Sequence, residues 1–235
     1  MLHAKEYTEG SQADTVDDLI EVAEVVDALG FAQIQLVNAF KRVNTAVRTL
    51  YTESYGELAD DVDDIGYHRK LAAQHATSLR DTSDVSTFDS VEFLTGAQFE
   101  AKMAQIDREL ATFDGLVSNL DGVAAAMEAF EADVANYTTS NYTGVAFASS
   151  EFEGARDGLA AIEPAESLQP VVDELACVFE ALANGAIEMQ KAVLARRNGD
   201  NNTASGYESD AEAEFQSCET LVKEVRPVEK LVDSF

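Results

Sequence analysis

Heptad periodicity constrains this chain more than any other feature. Leu19, Val22, Val26, Leu29, Gln33, Leu36, Phe40, Val43, Val47 and Leu50 follow one another at alternating spacings of 3 and 4. Such a pattern winds an apolar stripe along an α-helix and calls for a partner helix beside it. A second seam runs Phe99, Met103, Ile106, Leu110, Phe113, Val117, Leu120, Ala124 and Met127. A third runs Leu168, Val172, Leu175, Phe179, Leu182, Ala186, Met189 and Val193, and a shorter fourth Phe215, Cys218, Val222 and Val225. The first proline is Pro164, so no residue before it is barred from a helix interior.

The expected fold is therefore all-α: an elongated antiparallel coiled coil or bundle of long, kinked helices. The seams predict helices over about 15–80, 95–135, 149–162, 165–197 and 208–233, in one elongated domain of residues 14–235. Residues 1–13 read as a frayed or disordered N-terminus. Asp14 or Thr15 suits the first N-cap, and Thr95 with Gln98 forms a capping box for the second seam. Gly30 and Gly56 fall inside the pattern, as bends rather than ends.

The chain carries 44 Asp and Glu against 16 Lys and Arg, a net charge of −28. The acids are interleaved with apolar residues, so they read as a solvated surface and not as an acidic tail. Dense carboxylate, few Lys and many Ala and Val resemble the proteins of salt-loving archaea. Concentrated salt, with a Debye length of roughly 3 Å at 1 M, screens the self-repulsion of such a surface. No run of 18 apolar residues is present, so no membrane span is expected, and "MLHAKEYTEGSQ" has no apolar region of a signal peptide. A cytoplasmic, peripheral protein is the first expectation. An extracellular or lipid-anchored one is the alternative if a signal has been removed. Cys177 and Cys218 are compatible with one disulfide or two buried thiols; free thiols are the expectation for a cytosolic chain.

Chemistry-bearing motifs are scarce. "DDVDDIGYHRKLA" opens like a calcium loop but has Ile65 at a ligand position and Ala72 where a bidentate Glu is needed. "NGDNNTASGYE" lacks both the turn glycine and the closing Glu, and reads as a polar turn. The three histidines form no metal or catalytic pattern, and no nucleophile elbow, phosphate loop or dinucleotide motif occurs. The expectation is a protein that is not an enzyme and takes no metal or cofactor. Asn136, Asn141 and Asn201 head N-x-Thr sequons, three where about one is expected by chance.

The scarce cations are grouped. Lys41, Arg42 and Arg48 lie on the first helix, Arg69 and Lys70 on the next stretch, and Arg196 and Arg197 beside a hairpin tip. Pairing with the many acids is the plain reading; contact with an anionic membrane surface is the functional one. No cationic stripe with aromatic platforms appears, so nucleic acid is not expected.

"NAFKRVNTAVRTLYTESYGELADDVDD" resembles the opening helix of BAR domains, and "KAVLARRNGD" followed by "SDAEAEFQSCETLVKEV" resembles a BAR hairpin tip. The resemblance implies a crescent-shaped homodimer whose cations bind and curve an anionic membrane. The rival expectation is an extracytoplasmic, glycosylated helical bundle, such as a sensor, lipoprotein or surface interaction module. There the sequons are used and Cys177 pairs with Cys218.

Overall fold

The computed structural model describes residues 9–51, 55–83, 88, 94–135 and 143–217. Among them are six helices and no strand: α1 Glu9–Tyr51, α2 Tyr55–Thr82, α3 Gly96–Ala135, α4 Thr143–Ala160, α5 Gln169–Arg197 and α6 Asn201–Gln216. The protein is an all-α helical bundle. At 1.5 Å per residue α1 is about 65 Å long.

Each helix packs on the next in sequence, and α1 also touches α3. The pairings run antiparallel. Gln35 meets His68 and Arg42 meets Asp64. Arg80 meets Asp107 and Arg69 meets Asp114. Asn184 meets Glu214 and Arg196 meets Glu208. One apolar core runs through the bundle from Val22 in α1 to Ala186 in α5.

The long helix expected over 15–80 is two helices. The chain reverses between Tyr51 and Tyr55, and α2 folds back along α1. The apolar seam breaks after Leu50 and resumes in a new phase at Leu58, and Gly56, expected as a bend inside one helix, stands in the first turn of α2 beside the reversal. Helix α1 also begins at Glu9, ahead of the Asp14 or Thr15 expected to cap it.

The seam of α1 is finer than the large apolar residues suggest. Buried positions run Val22, Val25, Leu29, Ala32, Leu36, Ala39, Val43, Ala46 and Leu50, a strict 3-4 alternation. Three alanines occupy every second place where Gln33, Phe40 and Val47 were expected, and all three are fully buried. Small side chains let two helices approach closely, with Phe40 and Val47 buried beside this line. Leu19 and Val26, counted as seam residues, are instead exposed.

Helix α3 starts as its sequence predicts. The Gln98 N–H donates to Thr95 Oγ1 (3.2 Å), and the Thr95 N–H donates to Gln98 Oε1 (2.9 Å). Phe88 is buried against Phe99, their ring centroids 5.1 Å apart. Helix α4 begins six residues before its expected start at 149, because α3 supplies its cap. The Val145 N–H donates to the Asp133 carboxylate at 3.0 Å. A Cβ at Gly144 would stand 2.3 Å from the Ala129 carbonyl oxygen, so only glycine allows the two helices to meet there.

Helix α5 begins at Gln169, four residues after its expected start, with Pro170 in its first turn. It ends in a three-residue turn, Asn198 to Asp200, in which Gly199 takes φ +80°. The Asp200 carboxylate then accepts from the Thr203 N–H (3.1 Å) and hydroxyl (2.7 Å), capping α6. So α6 starts at Asn201 and not at the expected 208: "NGD" is the turn and cap, and "NNTAS" is already helix. The expected continuation of this helix to 233 lies outside the described residues beyond 217.

Candidate functional site

The cations singled out in the sequence occupy three settings. Arg42 faces α2, with Nη2 3.0 Å from Asp64 and Nη1 3.9 Å from Asp61. Asp61 is buried and accepts a hydrogen bond from the buried Thr49 hydroxyl at 3.1 Å. Burial pushes the Asp61 carboxyl above its usual range, opposed by the Thr49 hydrogen bond and the Arg42 charge. Arg69 bonds Asp114 at 2.5 Å and, with Arg80 on Asp107, ties α2 to α3. Arg196 grips Glu208 with two bonds of 2.5 and 2.6 Å across the α5–α6 hairpin. These partly exposed pairs contribute on the order of 0.2–1 kcal/mol each. Arg197 is also engaged in an interaction at the end of α5.

Lys41, Arg48 and Lys70 differ. All three are exposed, and none forms an ion pair with a described residue. Lys41 and Arg48 are seven residues apart and therefore share one face of α1.

That face continues toward the N-terminus as apolar surface. Leu19, Ile20, Val26, Phe31 and Ile34 are between 40% and 55% exposed. At 100° per residue they lie on the side of α1 opposite its buried seam, so the helix is apolar on two faces. The heptad reading assigns Leu19 and Val26 of this surface to the buried seam and leaves out Ile20, Phe31 and Ile34. The second face has a sequence signal of its own, the 3-4-3-4 recurrence of residues 20, 23, 27, 30 and 34, masked by Asp27 and Gly30. The Phe31 ring rests 5.3 Å from that of His75 on α2, and His68 Nδ1 donates to Gln35 Oε1 at 2.7 Å.

Inside the bundle, Glu109 and Thr112 of α3 are buried. Glu109 Oε1 accepts from Gln105 and from the Ser167 hydroxyl, both at 3.1 Å. Thr112 Oγ1 donates to the Arg108 carbonyl (2.8 Å) and accepts from the Ala165 N–H (3.0 Å). Together they pin the α4–α5 connection onto α3. Glu109 Oε2 has no hydrogen-bond partner, and burial raises the Glu109 carboxyl above the usual glutamate range against the Gln105 and Ser167 bonds. No substrate can reach a group that is 1% exposed, so this is a structural node.

Cys177, half-buried on α5, is disulfide-bonded. This reverses the expectation of free thiols. Cys218, the chain's other cysteine, lies outside the described residues. Sequence separation between facing residues of the α5–α6 hairpin grows away from the turn, from 12 at Arg196–Glu208 to 30 at Asn184–Glu214. Of the sequons, Asn201 is the exposed first residue of α6. Asn136 and Asn141 lie outside the described residues.

Among the described residues no group of three or more His, Cys, Asp or Glu is placed to hold a metal ion. No described helix is long and apolar enough to cross a membrane. Comparison with protein-family models, with curated proteins and with solved structures found no match.

Proposed function

We propose that this chain is a non-enzymatic interaction domain of the extracytoplasmic space, a rigid helical bundle that works through its surface. The disulfide at Cys177 carries this reading. Disulfides persist in oxidising compartments and are uncommon in a reducing cytosol. The exposed sequon at Asn201 fits the same compartment. The dense surface acid suits a concentrated-salt medium.

The membrane-curving alternative draws on the same cations, and ion pairing has taken several of them. Arg42, Arg69 and Arg196 are engaged with carboxylates of their own chain. Lys41, Arg48 and Lys70 remain for lipid headgroups, at about 1 kcal/mol each in moderate salt. Set against a net charge of −28, that is a weak anchor.

Alkylation of protein from its native host, unfolded but not reduced, tests the reading. Cys177 should resist the reagent until a reductant is added, and a glycan mass should appear on the peptide containing Asn201. Alkylation without reduction would place the chain in a reducing compartment and sink the proposal. Co-sedimentation with anionic vesicles that vanishes in Arg48→Glu would favour the membrane reading instead.

A further inference from the structure

We infer that the outer face of α1 is a self-association surface, on which a second copy of this chain docks antiparallel about a two-fold axis at Ile34. The exposed apolar residues of this face lie at or before Ile34 and its cations, Lys41 and Arg48, after it, so an antiparallel copy sets one arm against the other. Counting from Ile34, positions 4, 7, 11 and 14 residues away recur in both directions, so residue i of one copy lies level with residue 68 − i of the other.

The chemistry of the two arms is complementary. Asp27 of each copy comes level with Lys41 of the other, twice by symmetry, and both side chains are exposed. Ile34, 55% exposed, meets its own copy on the axis. Ile20, 53% exposed, comes level with Arg48, whose aliphatic stem covers it while the guanidinium lies within a turn of exposed Asp17 and Glu24. Small Ala23 leaves room beside it. A parallel arrangement would set Lys41 on Lys41 and Arg48 on Arg48, so the charges select the antiparallel one.

The size is adequate. From Ile20 to Arg48 the contact is about 42 Å long, and one helix width is about 10–12 Å. Two copies together then bury on the order of 1,000 Å², at the threshold for a specific interface. The apolar residues make up part of that footprint, on the order of a few hundred Å² per copy, a size of exposed patch that is often functional. The inference also gives scarce Lys41 and Arg48 a partner that no described carboxylate of the same chain supplies. It holds in either compartment.

Sedimentation equilibrium of the full chain, at the lowest salt that keeps it folded, tests this. Wild type should be a dimer. Ile34→Glu should give monomer mass with unchanged helicity and unfolding temperature. Lys41→Glu should weaken association about tenfold, and adding Asp27→Lys in the same chain should restore it. A cross-link provides a readout that does not depend on how a charge substitution folds. Ile34→Cys should oxidise to a covalent dimer, whereas Leu19→Cys, far from the axis, should not. A wild type that stays monomeric at all concentrations would overturn the inference, whether a membrane or residues 218–235 cover the face instead. Equal cross-linking of Leu19→Cys and Ile34→Cys would overturn it too, because only parallel helices place both residues opposite themselves.

Discussion

Replacing Gly185 by alanine should destabilise the bundle, although alanine is the better helix former. Gly185 lies inside α5, and a Cβ there would stand 2.2–2.6 Å from three atoms of the Phe215 ring. No rotation of a methyl group relieves that overlap, so the ring must leave. Phe215 is half-buried and stacks edge-on against Phe130 of α3, with centroids 6.2 Å apart and planes at 86°. Displacing it forfeits roughly 1–1.5 kcal/mol of apolar burial, half that of a fully buried ring. The aromatic pair contributes about 0.5–1 kcal/mol more. Against this, glycine to alanine in a helix interior gains about 0.5–1 kcal/mol. The net is a loss of about 1 kcal/mol, a fall of about 2–4 °C in Tm for a chain of this size.

The controls lie in the same molecule. A Cβ at Gly154 in α4 or Gly206 in α6 meets nothing within 4 Å, so alanine there should raise Tm. The cycle with Phe215→Ala isolates the cause: once the ring is gone, Gly185→Ala should change sign and stabilise. Thermal unfolding followed by circular dichroism at fixed salt reads all of these. If Gly185→Ala raises Tm as the controls do, or keeps its sign without Phe215, the steric reasoning is wrong.

The buried Glu109 carboxyl, raised above its unfolded value, makes the native state bind protons more tightly than the unfolded one, so that contribution to stability grows as pH falls through the window. Wild type should gain stability relative to Glu109→Gln between pH 7 and pH 5 in matched-salt denaturant titrations; parallel pH dependences would contradict it. Asp200→Ala removes both bonds to Thr203 and should lower stability by about 1 kcal/mol, with fraying at the start of α6 seen by amide exchange; unchanged protection there would refute the cap. Desalting should lower the unfolding temperature, because self-repulsion among surface acids is then unscreened; a melting temperature independent of salt would contradict the halophilic reading of the charge.

Much of the helical framework was legible because it rests on local rules. The Thr95–Gln98 box and the 168–193 seam are patterns of residues close in sequence, and most of their members are found as read. What escaped depends on tertiary partners. Ala32, Ala39 and Ala46 look inert beside Phe40 and Val47, yet they are buried in the same core with them. Asp133 caps a helix that begins ten residues later, a bond with no short-range signature. The reversal after Tyr51 is marked only by a lone Gly56 and by a change of heptad phase, from 43 and 50 in α1 to 58 and 65 in α2, neither of which by itself ends a helix. At the surface, residue type identified the cations but not their engagement. Arg42 and Arg48 look alike in sequence, and only the α1–α2 register gives Asp64 to the first and no described carboxylate to the second.

The order of the helices in space, each against its neighbour in the chain, has a kinetic consequence. Such a fold closes short loops before long ones, so its relative contact order is low and its assembly fast. The α1–α2 hairpin can form before the later helices exist, and each new helix then finds a finished surface to join. Cys177 lies on the penultimate described helix, whereas most of the core residues belong to earlier helices. Oxidation should therefore lock an arrangement already reached and not steer the search for it, so reduced chains should still refold, quickly and to the same topology.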